Sequence, residues 1–211
     1  MSSNVEIAKA LLRIKAVFLR PEEPFTWASG IKSPIYCDNR LILSYPEERN
    51  IVENSMAEYV KKFYPETEAL MGTSTAGISH AALIAERLNL PMGYVRGSAK
   101  DHGRKNQIEG RISHGQKTVV VEDLISTASS VLECVKTLRE AGADVLGIVS
   151  IFTYSMKKGL DNLAEAGMTN HSLCDLDTLL KVASDEGYIT VDDEKRILRF
   201  RDNPSDESWR N

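Results

Sequence analysis

The sequence predicts an α/β protein built on a central parallel sheet flanked by helices, and three observations predict it. Short apolar runs alternate with segments of helical period between residues 69 and 152. Two of those runs, TVVVED at 118–123 and VLGIVSIF at 145–152, are continuously apolar, the pattern of strands covered on both faces of a parallel sheet. Gly72 closes one strand and Gly142 closes one helix, as successive strand–helix units require.

The elements follow in order. MSSNVEIAKALLRIKAVF weaves Glu6, Lys9, Arg13 and Lys15 through its apolar residues, so it predicts an amphipathic first helix and neither a signal peptide nor a membrane span. RPEEPFTWASGIKSPIYCDNR (20–40) is rich in turn formers and aromatics and predicts irregular or short-strand structure; Trp27 reads as a core residue. Over 46–63, Ile51, Val52, Met56, Tyr59, Val60 and Phe63 share one helical face, and Pro65 ends that helix. Next come a strand at 69–72, a helix at 78–90, a strand at 92–96, the strand at 118–123, a helix at 130–143 and the strand at 145–152. Beyond 155 the pattern gives more helix, a short strand near 171–174 and a charged last helix near 191–201. The end, RDNPSDESWRN, is expected to fray.

At 211 residues, with no repeat or long linker, the chain suits one domain (1–211). Its formal net charge of −4 argues mildly against non-specific nucleic-acid binding. Cys37, Cys134 and Cys174 are far apart and lack C-x-x-C spacing. They read as packing residues in a reducing cytoplasm, not as a disulfide framework or a zinc site.

The chemistry concentrates in KTVVVEDLISTASSVLECV (117–135). Glu122 and Asp123 are expected at the carboxyl end of a buried strand, where open parallel sheets bind ligands. Strand alternation would point them in opposite directions unless the backbone turns there. Adjacent carboxylates are costly to bury, so they call for solvent, a cation or hydroxyl groups. The following helix starts near Ser129 or Ser130, with Ser130 and Glu133 at capping-box spacing. Its free amides and positive dipole end favour a phosphate, and the hydroxyls of Thr127, Ser129 and Ser130 can add donors. An acidic half and an anion-binding half together suit a sugar phosphate. The plainer alternative is a solvated strand end followed by a capped helix. No Walker loop and no dinucleotide fingerprint is present.

VVVEDLISTASS resembles the phosphoribosyl-pyrophosphate motif of type I phosphoribosyltransferases. FTWASGIKSPIYCDNR (25–40), GTSTAGISHAALIA (72–85) and YVRGSAKDHGRKNQIEG (94–110) narrow the resemblance to the orotate phosphoribosyltransferase family, closest to its Gram-positive bacterial branch, over roughly residues 5–190. The resemblance implies the type I phosphoribosyltransferase fold, with a small N-terminal hood (1–45) on an α/β core (46–200) and a mobile loop at about 97–110. It implies a Mg2+-dependent reaction in de novo pyrimidine synthesis. Phosphoribosyl pyrophosphate and orotate give orotidine 5'-monophosphate and pyrophosphate, in a cytoplasmic homodimer with shared active sites and no nucleic-acid or membrane partner. Carried over by position, Lys100, His102 and Asp123 are catalytic. Glu122 and Asp123 contact the ribose hydroxyls. Leu124 and Ile125 lead into the loop from Ser126 through Thr127, Ala128 and Ser129 to Ser130, which holds the 5-phosphate. Thr75, Arg96, Lys100 and His102 serve the pyrophosphate, and Ser126, Tyr36 and Arg40 serve orotate. No residue ligates the metal directly.

Physical chemistry bears on these assignments separately. Arg96, Lys100, His102, Arg104 and Lys105 form a basic cluster punctuated by Gly97, Gly103 and Gly110, as a lid over an anionic leaving group would need; a solvated basic loop is the alternative. The glycine-bounded turn 72–77 lies between a strand and a helix, where its amides can grip pyrophosphate oxygens. Tyr36 can cover a flat ring. Arg40 can reach a carboxylate or sit in a structural ion pair. The family loop usually carries glycine where Ala128 or Ser129 stands here; both are expected in the first helical turn, which spares them positive φ. Lysines of enteric members appear as Ala28, Ala76 and Gly97, and an orotate-contacting arginine falls near Tyr154. Two other readings remain: transfer to another base, and a catalytically silent regulator that senses phosphoribosyl pyrophosphate.

Overall fold

The computed structural model describes residues 3–27, 30–97 and 107–210. Helix α1 (Ser3–Arg13) leads into short strands β1 (Val17–Leu19), β2 (Phe25–Thr26), β3 (Lys32–Ser33) and β4 (Ile35–Cys37). These pair as two small antiparallel ribbons, β1 with β4 and β2 with β3. A 3-10 turn (Asn39–Ser44) connects them to α2 (Pro46–Phe63). The core follows as β5 (Ala69–Thr73), α3 (Ala76–Leu88), β6 (Met92–Val95), β7 (Ile108–Glu109), β8 (Lys117–Ile125), α4 (Ser129–Glu140) and β9 (Asp144–Thr153). It closes with α5 (Lys157–Glu165), β10 (Asn170–Asp175), α6 (Leu176–Asp185) and α7 (Val191–Asp202).

The sheet order is β10-β9-β8-β5-β6-β7, parallel except at the β6–β7 edge. From β5 the chain winds one way to β6, and from β8 the other way to β9 and β10. The switch point therefore lies between β5 and β8, and the crevice beyond their carboxyl ends is where such sheets bind ligands. Val119, Val121 and Val149 join a core cluster with α1, α2, α3 and α6, while Val120 and Ile148 join another with α4 and α5. Both faces are covered, as the unbroken valine run requires. Among the described residues, no helix is long and apolar enough to cross a membrane.

Two expectations need correction, and one left open is decided. Strand β8 runs to Ile125, so Glu122 and Asp123 lie inside it. The side-chain sense also reverses across the pair: Leu124 packs with the cluster of Val119 and Val121, whereas Ile125 packs with that of Val120. The backbone turns there, which brings the two carboxyls together. The chain end does not fray over its last aromatic, since Trp209 is 1% exposed and packs edge-on against Phe200. Burial of an indole stabilises by a few kcal/mol, enough to dock a short 3-10 turn.

Candidate active site

The turn after β5 is shaped by close approach. A Cβ on Gly77 would come within 2.5 Å of both the Val121 carbonyl oxygen and Thr73 Oγ1, and one on Gly72 within 2.8 Å of the Gly77 carbonyl. Bare glycines let the turn fold flat onto β8. The Ser74 hydroxyl donates to the Val95 carbonyl at 2.7 Å, and Thr75, at the N-cap of α3, makes no side-chain cap bond. The α3 amides therefore open toward the crevice uncapped.

Across the switch point, Glu122 is buried, and the Thr73 hydroxyl donates to its Oε1 at 2.7 Å. The Asp123 amide donates to the same oxygen at 3.0 Å. Burial first, then the Asp123 carboxyl beside it, pushes Glu122 up to about 8. Its contribution to stability follows from that direction. Between the ordinary carboxylate range and about 8 the folded chain binds more protons than the unfolded chain, so stability falls as pH rises through that window. Glu122→Gln should flatten the fall, read from urea midpoints across about pH 5 to 8.

Glu122, Asp123 and Leu124 line a cavity of about 360 Å³ with Arg40, Thr75 and Ser130. A neighbouring cavity of about 360 Å³ holds Arg96, Gln107 and Glu133 and shares Ser74 and Ser130 with the first. Arg96 Nε lies 3.4 Å from Glu109. Arg40 makes a two-point ion pair with Asp38 at 2.6 and 2.8 Å, and that guanidinium holds the Asp38 carboxyl below its ordinary range. Tyr36 is exposed on the hood, tilted against Phe25 with ring centroids 5.5 Å apart. Lys100 and His102 lie outside the described residues.

Ser126 lines a different cavity, of about 400 Å³, with Thr153, Ser155 and Asp175. Ile125 and Ala128 are buried, whereas Ser129 and Ser130 are exposed at the start of α4. The Thr127 and Ser129 hydroxyls lie 3.1 Å apart. Here the sequence reading is half right. Ser129 is helical, but Ala128 is the N-cap in left-handed conformation, φ 61°, without a side-chain cap bond. The capping box of Ser130 and Glu133 does not form, because the N-cap is Ala128, two residues before Ser130. Left-handed geometry strains alanine by about 1–2 kcal/mol, against about 0.4–1 kcal/mol for the freer unfolded chain of glycine. Ala128→Gly should therefore raise Tm by a few degrees, by calorimetry, and Ser129→Gly should not.

One residue escaped the sequence reading. Asn39 is fully buried, and its Nδ2 donates to the Asp123 carbonyl at 2.7 Å across 84 positions of sequence. The Cys37 thiol donates to Asn39 Oδ1 at 3.3 Å. The hood is thereby pinned to the acidic strand. Only the polar D-N-R run hinted at it; the contact is long-range and invisible to local pattern.

A model of the phosphoribosyl transferase domain matches residues 42–172. The chain is 55% identical to an orotate phosphoribosyltransferase of Bacillus cytotoxicus over 204 residues, 97% of each chain. To that of Bacillus subtilis it is 57% identical over 203 residues, 96% of this chain and 94% of the other. Among solved structures, orotate phosphoribosyltransferase from Aeropyrum pernix is similar at TM-score 0.76 and 31% identity, covering 87% of this chain and 99% of that one. An acidic pair and two uncapped helix starts meeting at the switch point agree with those likenesses over nearly the whole length: the chain belongs to the orotate phosphoribosyltransferase family.

Proposed function

We propose that the chain transfers the 5-phosphoribosyl group from phosphoribosyl pyrophosphate to orotate, giving orotidine 5'-monophosphate and pyrophosphate for pyrimidine synthesis. One observation carries the reading: the carboxyl pair of β8 lies between two helix starts that lack side-chain caps. The sugar hydroxyls donate to Glu122 and Asp123. The amides from Thr127 to Ser130 take the 5-phosphate, and the turn 74–77 takes the pyrophosphate. Breaking the C1–oxygen bond to pyrophosphate puts positive charge on the ribose ring as the orotate nitrogen closes on C1. The acidic pair stabilises that charge, while the amides fix both anionic ends. Arg96 adds charge at the pyrophosphate side, and Lys100 and His102 are assigned there by motif. Tyr36, Arg40 and Ser126 are assigned to orotate.

The donor set suits magnesium held mainly by substrate. Among the described residues no group of three or more His, Cys, Asp or Glu side chains could hold a metal ion, and Mg2+ commonly uses one or two carboxylates plus substrate phosphates. Bound to the pyrophosphate, the ion would neutralise leaving-group charge. The reading includes one domain over 1–211 and a homodimer sharing its sites; most of the loop expected at about 97–110 lies outside the described residues. Mixing inactive Lys100→Ala with inactive Asp123→Ala protein should then restore activity, and no recovery would remove the sharing. Buried free thiols at Cys37, Cys134 and Cys174 suit the cytoplasm.

Loss of orotate absorbance with magnesium and phosphoribosyl pyrophosphate tests the activity, with uracil, hypoxanthine and adenine as controls. Turnover of another base alone would overturn the substrate, and binding without turnover would favour the silent regulator.

A further inference from the structure

We propose that α5 holds the phosphate loop with its amides turned outward, and that Gly159 and Asn162 are positioning residues for the 5-phosphate. The inference rests on the proposed reading of the loop as the 5-phosphate site. Neither residue belongs to a motif that pointed to the site, and both lie more than thirty positions from the loop residues they touch.

Gly159 is buried. A Cβ there would lie 2.2 Å from the Ser126 carbonyl oxygen and 3.5 Å from Thr127 Cα, so the Ser126 carbonyl sits directly against the bare helix backbone. One turn on, Asn162 Nδ2 donates to the Thr127 carbonyl at 2.8 Å. Residues three apart share a helix face, so a single face of α5 receives two successive loop carbonyls.

The consequence follows from peptide geometry. In a planar trans peptide the C=O and N–H point opposite ways. Ser126 and Thr127 carbonyls facing α5 therefore turn the Thr127 and Ala128 amides away from it. Those two amides donate to no acceptor among the described residues, and they lead straight into the uncapped start of α4. Ala128, in left-handed conformation, is where the loop changes direction from strand to helix. With its carbonyls held, the loop presents its donors to one point before any ligand arrives. Preorganised donors of this kind bind an anion without first reorganising.

Asn162→Leu removes the donor and keeps comparable bulk; Gly159→Ala pushes on the Ser126 carbonyl. Steady-state kinetics and inhibition separate positioning from general packing. Ribose 5-phosphate reports on the loop, and inorganic pyrophosphate reports on the turn at 74–77. In Asn162→Leu the KM for phosphoribosyl pyrophosphate should rise about tenfold with kcat within about twofold, a loss of ground-state binding. Inhibition by ribose 5-phosphate should weaken by a similar factor, and inhibition by pyrophosphate should hold. Gly159→Ala should show the same split more strongly; if it fails to fold, Asn162→Leu carries the test. Unchanged ribose 5-phosphate inhibition in a folded variant overturns the inference, as does equal weakening of both inhibitors. If wild-type protein turns over orotate yet ribose 5-phosphate does not compete with the sugar substrate, the loop assignment itself fails.

Discussion

Asp123→Asn should lower kcat by about a hundred- to a thousandfold while the fold survives, the range seen when one preorganised electrostatic group is removed from a transition state. The amide has the size of the acid, and the strand position is fixed independently by the Asn39 bond to the Asp123 carbonyl. What is lost is negative charge facing the cationic sugar. Glu122→Gln should cost less, about tenfold. Burial pushes Glu122 up to about 8, so it carries less negative charge than Asp123 near neutral pH, and its Oε1 is engaged by the Thr73 hydroxyl and the Asp123 amide. Binding the sugar's hydroxyls favours its ionised form, so the gap between the two variants should narrow as pH rises. Measuring kcat for both across that range checks it. Equal losses at every pH would mean that the carboxyls are interchangeable.

Gly77→Ala should cost both stability and pyrophosphate binding. The added carbon meets Thr73 Oγ1 and the Val121 carbonyl at 2.5 Å each, and the latter is backbone of the central strand and cannot step aside. Forcing a methyl into such a site costs about 1–3 kcal/mol. The relief available is for α3 to lift away from β8, which moves the turn 74–77 and its amides. Urea unfolding should show the lost stability, and pyrophosphate inhibition should weaken by more than ribose 5-phosphate inhibition. Gly97→Ala is the control, because among the described residues its Cβ meets only the Ser74 hydroxyl, at 3.9 Å. A Gly77→Ala protein that binds pyrophosphate as well as wild type would remove the turn from the site.

The sheet was legible because its signal is local: three consecutive valines before two acids cannot be a half-exposed strand. Helices α2 and α4 were legible from their apolar faces, and the site's approximate place followed from the parallel sheet. Legibility fails where backbone conformation, not side-chain character, decides. The reversal of side-chain sense across Glu122–Asp123 and the left-handed Ala128 are set by how β8 meets α4, and an alanine there looks like any helix residue. Docking of Trp209 depends on Phe200 being its neighbour in space. Asn39, Gly159 and Asn162 act on segments 35 to 84 positions away or through the lack of a side chain, so no spacing rule could find them. Lys100 and His102 rest on motif alone.

The proposed mechanism requires a single anionic sugar to be held at both ends across the β5–β8 switch point. A crystal of the protein grown with phosphoribosyl pyrophosphate and magnesium tests it most directly. Ribose hydroxyl oxygens should lie within hydrogen-bond distance of the Glu122 and Asp123 carboxyls, with the 5-phosphate on the amides from Thr127 to Ser130. Density for the sugar phosphate elsewhere, with those amides making no contact to it, would contradict it.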